Sequence, residues 1–193
     1  MTKRNNLNYT IMNMLDLTNE DKVFIRTIFN EMRKSIQNFI TERDFNLSNA
    51  QLFAFLSNSP AALAIASDGA VDEKEIAGIE KLSKGIDIGS SVNLDLMEMM
   101  AVAFEPDNCI TNEEFNIRVG SEILFLAKNF KKYESEFVNA LKAMLTFDMN
   151  PKRDGSLSSS FSKLMDTMIE NNVSKDKEAE MKKMKELKMK IGI

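Results

Sequence analysis

An all-α fold is predicted by three observations. Gly and Pro are scarce, at 7 and 3 of 193 residues, so little interrupts a helix. Straight-chain residues are plentiful, with 14 Met. Apolar residues recur at three- and four-residue spacing along most of the chain, the repeat of one buried helical face. Together these predict a compact bundle of about seven to nine helices, and a loop pattern that occurs twice, at Asp68 and Asp107, adds an internal helix-loop-helix pseudo-repeat. The length suffices for an ordinary hydrophobic core without a metal or a disulfide. Three segments are expected: an Asn-rich N-terminal segment at 1–16, a helical domain at 17–170, and a charged Lys/Met-rich helical tail at 171–193.

The first helix is expected from Asn19 to Arg43. Ile25, Ile28, Phe29, Met32, Ile36, Phe39 and Ile40 form its apolar face, and Thr18 with Asp21 supplies the cap. A second spans Asn49 to Leu56 after the cap Ser48. A third starts at Ser59-Pro60, with Ser59 expected as N-cap and Pro at the first helical position, where it lacks only an N–H that would be unpaired. It runs to about Ser67, where Asp68-Gly69 breaks the chain. The next helix opens at Asp72. Asp72 and Glu75 have capping-box spacing, Val71 and Ile76 have staple spacing, Ile76, Ile79 and Leu82 face inward, and Gly85 ends it. Val92 to Phe104 follows and stops at Glu105-Pro106, since a residue before Pro avoids the helical region.

The pattern then repeats. Asp107-Asn108-Cys109-Ile110-Thr111-Asn112-Glu113-Glu114-Phe115 is a second version of Asp68-Gly69-Ala70-Val71-Asp72-Glu73-Lys74-Glu75-Ile76. Asn108 replaces Gly69 and also tolerates the left-handed conformation. Thr111 with Glu114 forms the box, and Ile110 with Phe115 the staple. A helix from Asn112 to about Lys132 buries Phe115, Val119, Ile123, Leu126 and Phe130. Another from Ser135 to Met149 buries Phe137, Leu141, Met144 and Leu145. After a loop at 150–156, a last body helix carries Phe161, Leu164, Met165, Met168 and Ile169.

Composition narrows the chemistry. Histidine is absent, which removes the commonest general base, the Ser-His and Cys-His pairs, and imidazole metal ligands. Cys109 is the single cysteine, so neither an internal disulfide nor a thiolate zinc cluster forms. Carboxylate oxygens for hard cations remain. No spacing indicates a nucleophile-base pair or a phosphate loop, so no enzyme is expected. No apolar stretch reaches the ~20 residues that span a bilayer. The opening Met-Thr-Lys-Arg-Asn-Asn-Leu-Asn has no secretory apolar core after it, and the expected compartment is the cytoplasm.

The net charge of -4 is uneven. Residues 175–193 hold seven Lys against four acids, a net +3, which leaves -7 on the remainder. An acidic body argues against nucleic-acid binding, which needs a basic face.

Asp68, Gly69, Val71 and Glu75 fall at positions five, six, eight and twelve of a calcium EF-hand loop, but Ala64 and Ala66 occupy positions one and three and offer no side-chain oxygen. That excludes a standard EF-hand. The whole segment Ala64-Ile65-Ala66-Ser67-Asp68-Gly69-Ala70-Val71-Asp72-Glu73-Lys74-Glu75 instead resembles the TerB-like family, the tellurite-resistance TerB proteins and the related domain of DjlA-type co-chaperones. Ser67 departs from the Ala usual before Asp-Gly. The resemblance covers roughly residues 50–150. It implies an all-helical fold with a pseudo-repeat and a non-catalytic role in chemical stress or phage defence, often near the membrane. It also implies a metal cation at Asp68 and Glu75, with Asp107 and Glu114 in the second loop and Asp72 as an acidic neighbour; the oxygen donors suit Ca²⁺ or Mg²⁺, and the missing oxygens at Ala64 and Ala66 make the expected binding weak. The same acids are also accounted for as helix caps, worth about 0.5–2 kcal/mol each.

The tail spaces Met181, Met184, Leu187 and Ile191 three and four apart among lysines. Three roles are open to it: a terminal helix on the body, a partner or self-association helix using adaptable Met side chains, or peripheral membrane contact through residues 175–193. The function expected overall is a TerB-like, stress-associated protein-interaction module that binds a cation through its acidic loops. The alternative is a phage or host assembly protein that forms homo-oligomers through its helices and tail.

Overall fold

The computed structural model of the protein describes residues 17–65, 100–149, 156–171 and 177–193. Among them are eight α-helices, one 3-10 turn and no strand. In chain order the helices are α1 (Asn19–Ser35), α2 (Gln37–Arg43), α3 (Asn49–Asn58), α4 (Pro60–Ile65), α5 (Asn112–Lys128), α6 (Phe130–Leu145), α7 (Ser156–Asn171) and α8 (Lys177–Ile191). The 3-10 turn Thr146–Met149 follows α6 directly. The fold is all-α, as the periodicity predicts. The helix expected from Asp72, most of that from Val92, and the loop at 150–155 lie outside the described residues.

Helix α1 begins with a reciprocal cap. The Thr18 hydroxyl oxygen accepts the Asp21 N–H at 3.1 Å, and the Asp21 carboxylate accepts the Thr18 N–H at 3.0 Å. One uninterrupted helix to Arg43 is expected, but the backbone leaves helical geometry at Ile36, with φ -105° and ψ 22°. The Ile36 N–H turns back to the Lys34 carbonyl, and α2 starts afresh on the far side. Apolar spacing does not register the break, because Ile36, Phe39 and Ile40 stay buried across it. Asp44 then ends α2 in the left-handed conformation, at φ 46°. Asp is one of the few side chains that visits this region.

Ser48 caps α3, and the Gln51 side chain answers by accepting the Ser48 N–H at 2.9 Å. Ser59 behaves differently from expectation. Its hydroxyl donates backwards to the Leu56 carbonyl at 2.8 Å, closing α3 instead of capping α4. Pro60 still opens α4, where its missing N–H costs nothing.

Two helices meet at Asn129, earlier than the expected gap between Lys132 and Ser135. The Asn129 side-chain amide donates to the Phe125 carbonyl at 2.9 Å, and its backbone sits at φ -117° and ψ 20°. Such side-chain competition for helix carbonyls ends α5 and frees Tyr133 to face the core from α6. Helix α6 is central and packs against α1, α3, α5 and α8. Asp148, in the 3-10 turn, caps α7 from a distance, accepting the N–H groups of Leu157 at 3.0 Å and Ser158 at 2.7 Å.

The core is aromatic. Phe39 lies within 5.2–6.1 Å, ring centre to ring centre, of Phe55, Phe125, Tyr133 and Phe137. Helix α8 packs on α4, α6 and α7, and Met184, Leu187 and Ile191 join the same core. Met181, expected on that face, is exposed instead; Glu180 takes the buried place beside it. The helical repeat is 3.6 rather than 3.5 residues, so a stripe from Ile191 back through Leu187 and Met184 passes through 180, not 181. Among the described residues no helix is long and apolar enough to cross a membrane.

Candidate functional site

Of the acidic residues singled out in the sequence, Asp68, Asp72 and Glu75 lie outside the described residues. The second loop, from Ala103 to Thr111, is described in full and shows how such a loop is built here. It joins a helical end at 100–102 to α5. Asn108, which takes the place of Gly69 in the second copy of the sequence pattern, sits at φ 59°, in the left-handed region. The Thr111 hydroxyl accepts the Glu114 N–H at 3.1 Å, so Thr111 is the N-cap of α5. The reciprocal half of the expected box does not form. The Glu114 carboxylate swings to Arg118, one turn further on, at 2.8 Å. With Arg118 both partners are charged, whereas the cap offers the carboxylate a single backbone N–H.

Three amide side chains hold the loop, Asn46 from the segment between α2 and α3, and Asn49 and Gln51 from the first turn of α3. Asn46 donates to the carbonyls of Asp107 at 2.8 Å and Asn108 at 3.1 Å, and its own carbonyl accepts the Ile110 N–H at 2.9 Å. Gln51 donates to the Ile110 carbonyl at 3.0 Å and to the Asn112 side chain at 2.9 Å. Asn49, fully buried, donates to the carbonyls of Met100 and Ala103, while its N–H goes to the Glu105 carboxylate at 3.0 Å. Arg33 secures the other side of this seam through the Leu47 carbonyl and the Asn49 side chain. Burial lowers the Arg33 pKa, opposed by the nearby Cys109 and Glu105.

Cys109 is half-buried and donates to the Pro106 carbonyl at 3.0 Å. Burial first, then the charges of Glu105 and Asp107, push its thiol pKa up. A thiol held protonated is a poor nucleophile and a poor ligand, so this cysteine works as a loop anchor.

The backbone of the loop is therefore fixed from inside, while the Phe104 ring and the Asp107 side chain face solvent. Asp107 and Glu114 supply two carboxylates. Among the described residues no three His, Cys, Asp or Glu side chains converge as a metal cage. A cation seated between these two would have to draw Glu114 from Arg118.

A further polar cluster lies beside the loop, and apolar spacing does not disclose it. Glu122 is buried between Arg43 and Arg118. Hydrogen bonds donated by Arg43 to Glu122 raise the Arg43 pKa above its ordinary value; for Arg118 burial works the other way, but Glu114 and Glu122 outweigh it. The signal was present as Glu114, Arg118 and Glu122 at successive four-residue steps. The Arg43 partner is distant in sequence and left no such trace. Comparison with protein-family models, characterised proteins and solved structures finds no match to this chain.

The left-handed backbone at Asn108 makes a direct prediction. Asn108→Ala should lower stability by about 1–2 kcal/mol, because a Cβ without a compensating polar group is penalised there. Asn108→Gly should be nearly neutral. Thermal unfolding of the two variants measures this, and equal midpoints would show that the loop does not need that conformation.

Proposed function

We propose that this protein is a non-catalytic helical interaction module of TerB-like character that presents acidic loops to a protein partner and takes a divalent cation weakly. One observation carries the reading. The Asp107 loop is held on its inner side by Asn46, Asn49 and Gln51, and it turns a carboxylate and an aromatic ring outward from a fixed backbone. A loop ordered before binding loses little entropy when a partner docks. The duplicated sequence pattern extends the same role to Asp68, Asp72 and Glu75, with Ca²⁺ or Mg²⁺ as the fitting hard cations. The titratable groups buried beside the loop bind one another, which suits a scaffold more than a reaction centre.

The test is thermal unfolding of chelator-treated protein titrated with Ca²⁺, Mg²⁺, Mn²⁺ and Zn²⁺. A native-state cation site stabilises by about 2.7 kcal/mol when the free ion reaches a hundred times its Kd. The expected outcome is a saturable rise in midpoint with Ca²⁺ or Mg²⁺ that Asp68→Asn/Glu75→Gln abolishes and Asp107→Asn weakens. No ion-dependent shift, with the variants merely less stable, would leave these acids as helix caps and remove the cation from the proposal.

A further inference from the structure

Helix α8 differs in charge from the body it rests on. Residues 177–191 hold six Lys and three Glu, in a chain whose overall charge is -4. Its apolar hold is also thin. It buries four residues, of which one, Glu180, is a carboxylate, whereas α6 buries seven over nearly the same length. Among the described residues, two lysines also tie it to its neighbours. The Lys188 ammonium donates to the Asp166 carboxylate at 2.6 Å and the Ser162 hydroxyl at 2.9 Å, both on α7. Lys190 pairs with Glu134 on α6.

We infer that α8 is an electrostatically latched strap, with Lys188 as the latch, which undocks from α4, α6 and α7 as a unit while the rest of the bundle stays folded. Elements with few buried apolar contacts open locally well below the free energy of global unfolding. The acids that receive the two lysines are solvent-accessible: Asp166 and Glu134 are 58% and 37% exposed. Pairs of that kind are screened by salt and contribute modestly one at a time. The latch therefore responds to ionic strength, and to any modification that neutralises Lys188, such as acylation. Undocking uncovers α4. It also frees a Lys/Met helix with apolar groups on two sides, because Met184 and Leu187 join Met181 and Met189, which are exposed already.

Hydrogen exchange of the full chain, followed by mass spectrometry of its peptides, tests this at low and high salt. Between 0.01 M and 1 M salt the Debye length falls from about 30 Å to about 3 Å. Peptides from 177–193 should exchange about three- to tenfold faster at high salt, the scale of losing one or two exposed ion pairs, with α1, α3 and α6 unchanged. Lys188→Gln/Lys190→Gln should show that faster exchange already at low salt and lose the salt response. The exchanged pair Asp166→Lys/Lys188→Glu should restore slow exchange at low salt, which a merely packing role for Lys188 would not do. Exchange of α8 at the same rate as α6 in both salts, or a salt response that survives in the double Gln variant, would overturn the strap.

Discussion

Phe39→Ala should lower the unfolding free energy by about 3–5 kcal/mol, the largest effect expected of any single truncation in this core. Phe39 is fully buried in the first turn of α2, where helices from distant parts of the chain converge. Its ring meets Phe55 of α3 at 5.5 Å, Phe125 of α5 at 6.1 Å, and Tyr133 and Phe137 of α6 at 5.2 Å each. The contacts with Tyr133 and Phe137 are edge-on, at 83° and 89° between planes. This geometry sets a positive ring edge on a negative face. Truncation removes the partner of four rings at once, and rigid helices cannot collapse to fill the void from every side. A domain of this size is stable by only about 5–15 kcal/mol, so the loss is a large share of the total. Urea unfolding should show the midpoint falling with an unchanged slope. Phe39→Leu keeps much of the volume and should lose less. A loss below about 1 kcal/mol for Phe39→Ala would mean that the four helices do not meet around this ring.

The same residue shows how much of the fold the sequence discloses. Phe39 belongs to a three-and-four apolar series that places it on a buried face, and the structure buries it. That series continues unbroken past Ile36, however, so the joint between α1 and α2 left no mark in it. Period reports which side is buried and is silent about a backbone that bends while keeping that side inward. Caps were legible where the side chain acts on its own turn, as at Thr18, Ser48 and Thr111. They were misread where a competitor lies nearby. Ser59 prefers the Leu56 carbonyl, Glu114 prefers Arg118, and Asn129 cuts a helix that apolar spacing carried to Lys132. Each is a choice between two bonds of similar reach, and local sequence contains both.

The candidate site divides along the same line. The left-handed Asn108 and the cap at Thr111 follow from residue type, and both are present. The residues that hold the loop, Asn46, Asn49 and Gln51, come from a segment about sixty positions earlier, at the separations its hydrogen bonds bridge. An amide side chain in a connecting segment or a first helical turn carries no apolar periodic signature, and most of its partners here are main-chain carbonyls that any sequence provides. Only the folded arrangement identifies these three as the supports of the loop.

Glu122→Ala should cost about 2–3 kcal/mol, and the reason lies in how its neighbours are exposed. Removing one member of a buried ion pair ordinarily costs about 3–5 kcal/mol, because a charge is left without a partner away from water. Glu122 is itself 2% exposed, with Arg43 at 2.7 Å from one oxygen and Arg118 at 3.3 Å from the other. The two guanidinium groups are 32% and 25% exposed, so water can solvate part of the charge that Glu122 leaves behind. That moves the expectation to the lower end. Part of the hold survives as well. Arg118 still donates to the carbonyls of Arg43 at 2.8 Å and Asp44 at 3.2 Å, which are unpaired acceptors at the end of α2. Arg43 still lies 4.1 Å from the centre of the Phe125 ring, and Arg118 5.0 Å from that of Phe45. A double-mutant cycle of Glu122→Ala and Arg43→Ala should give a coupling of about 1–3 kcal/mol. Because the acid is buried, that coupling should persist in high salt, unlike the exposed pairing of Lys132 with Glu42. Additive losses, or a coupling that vanishes with salt, would mean that the Arg43–Glu122 pair contributes nothing specific to the joint between α2 and α5.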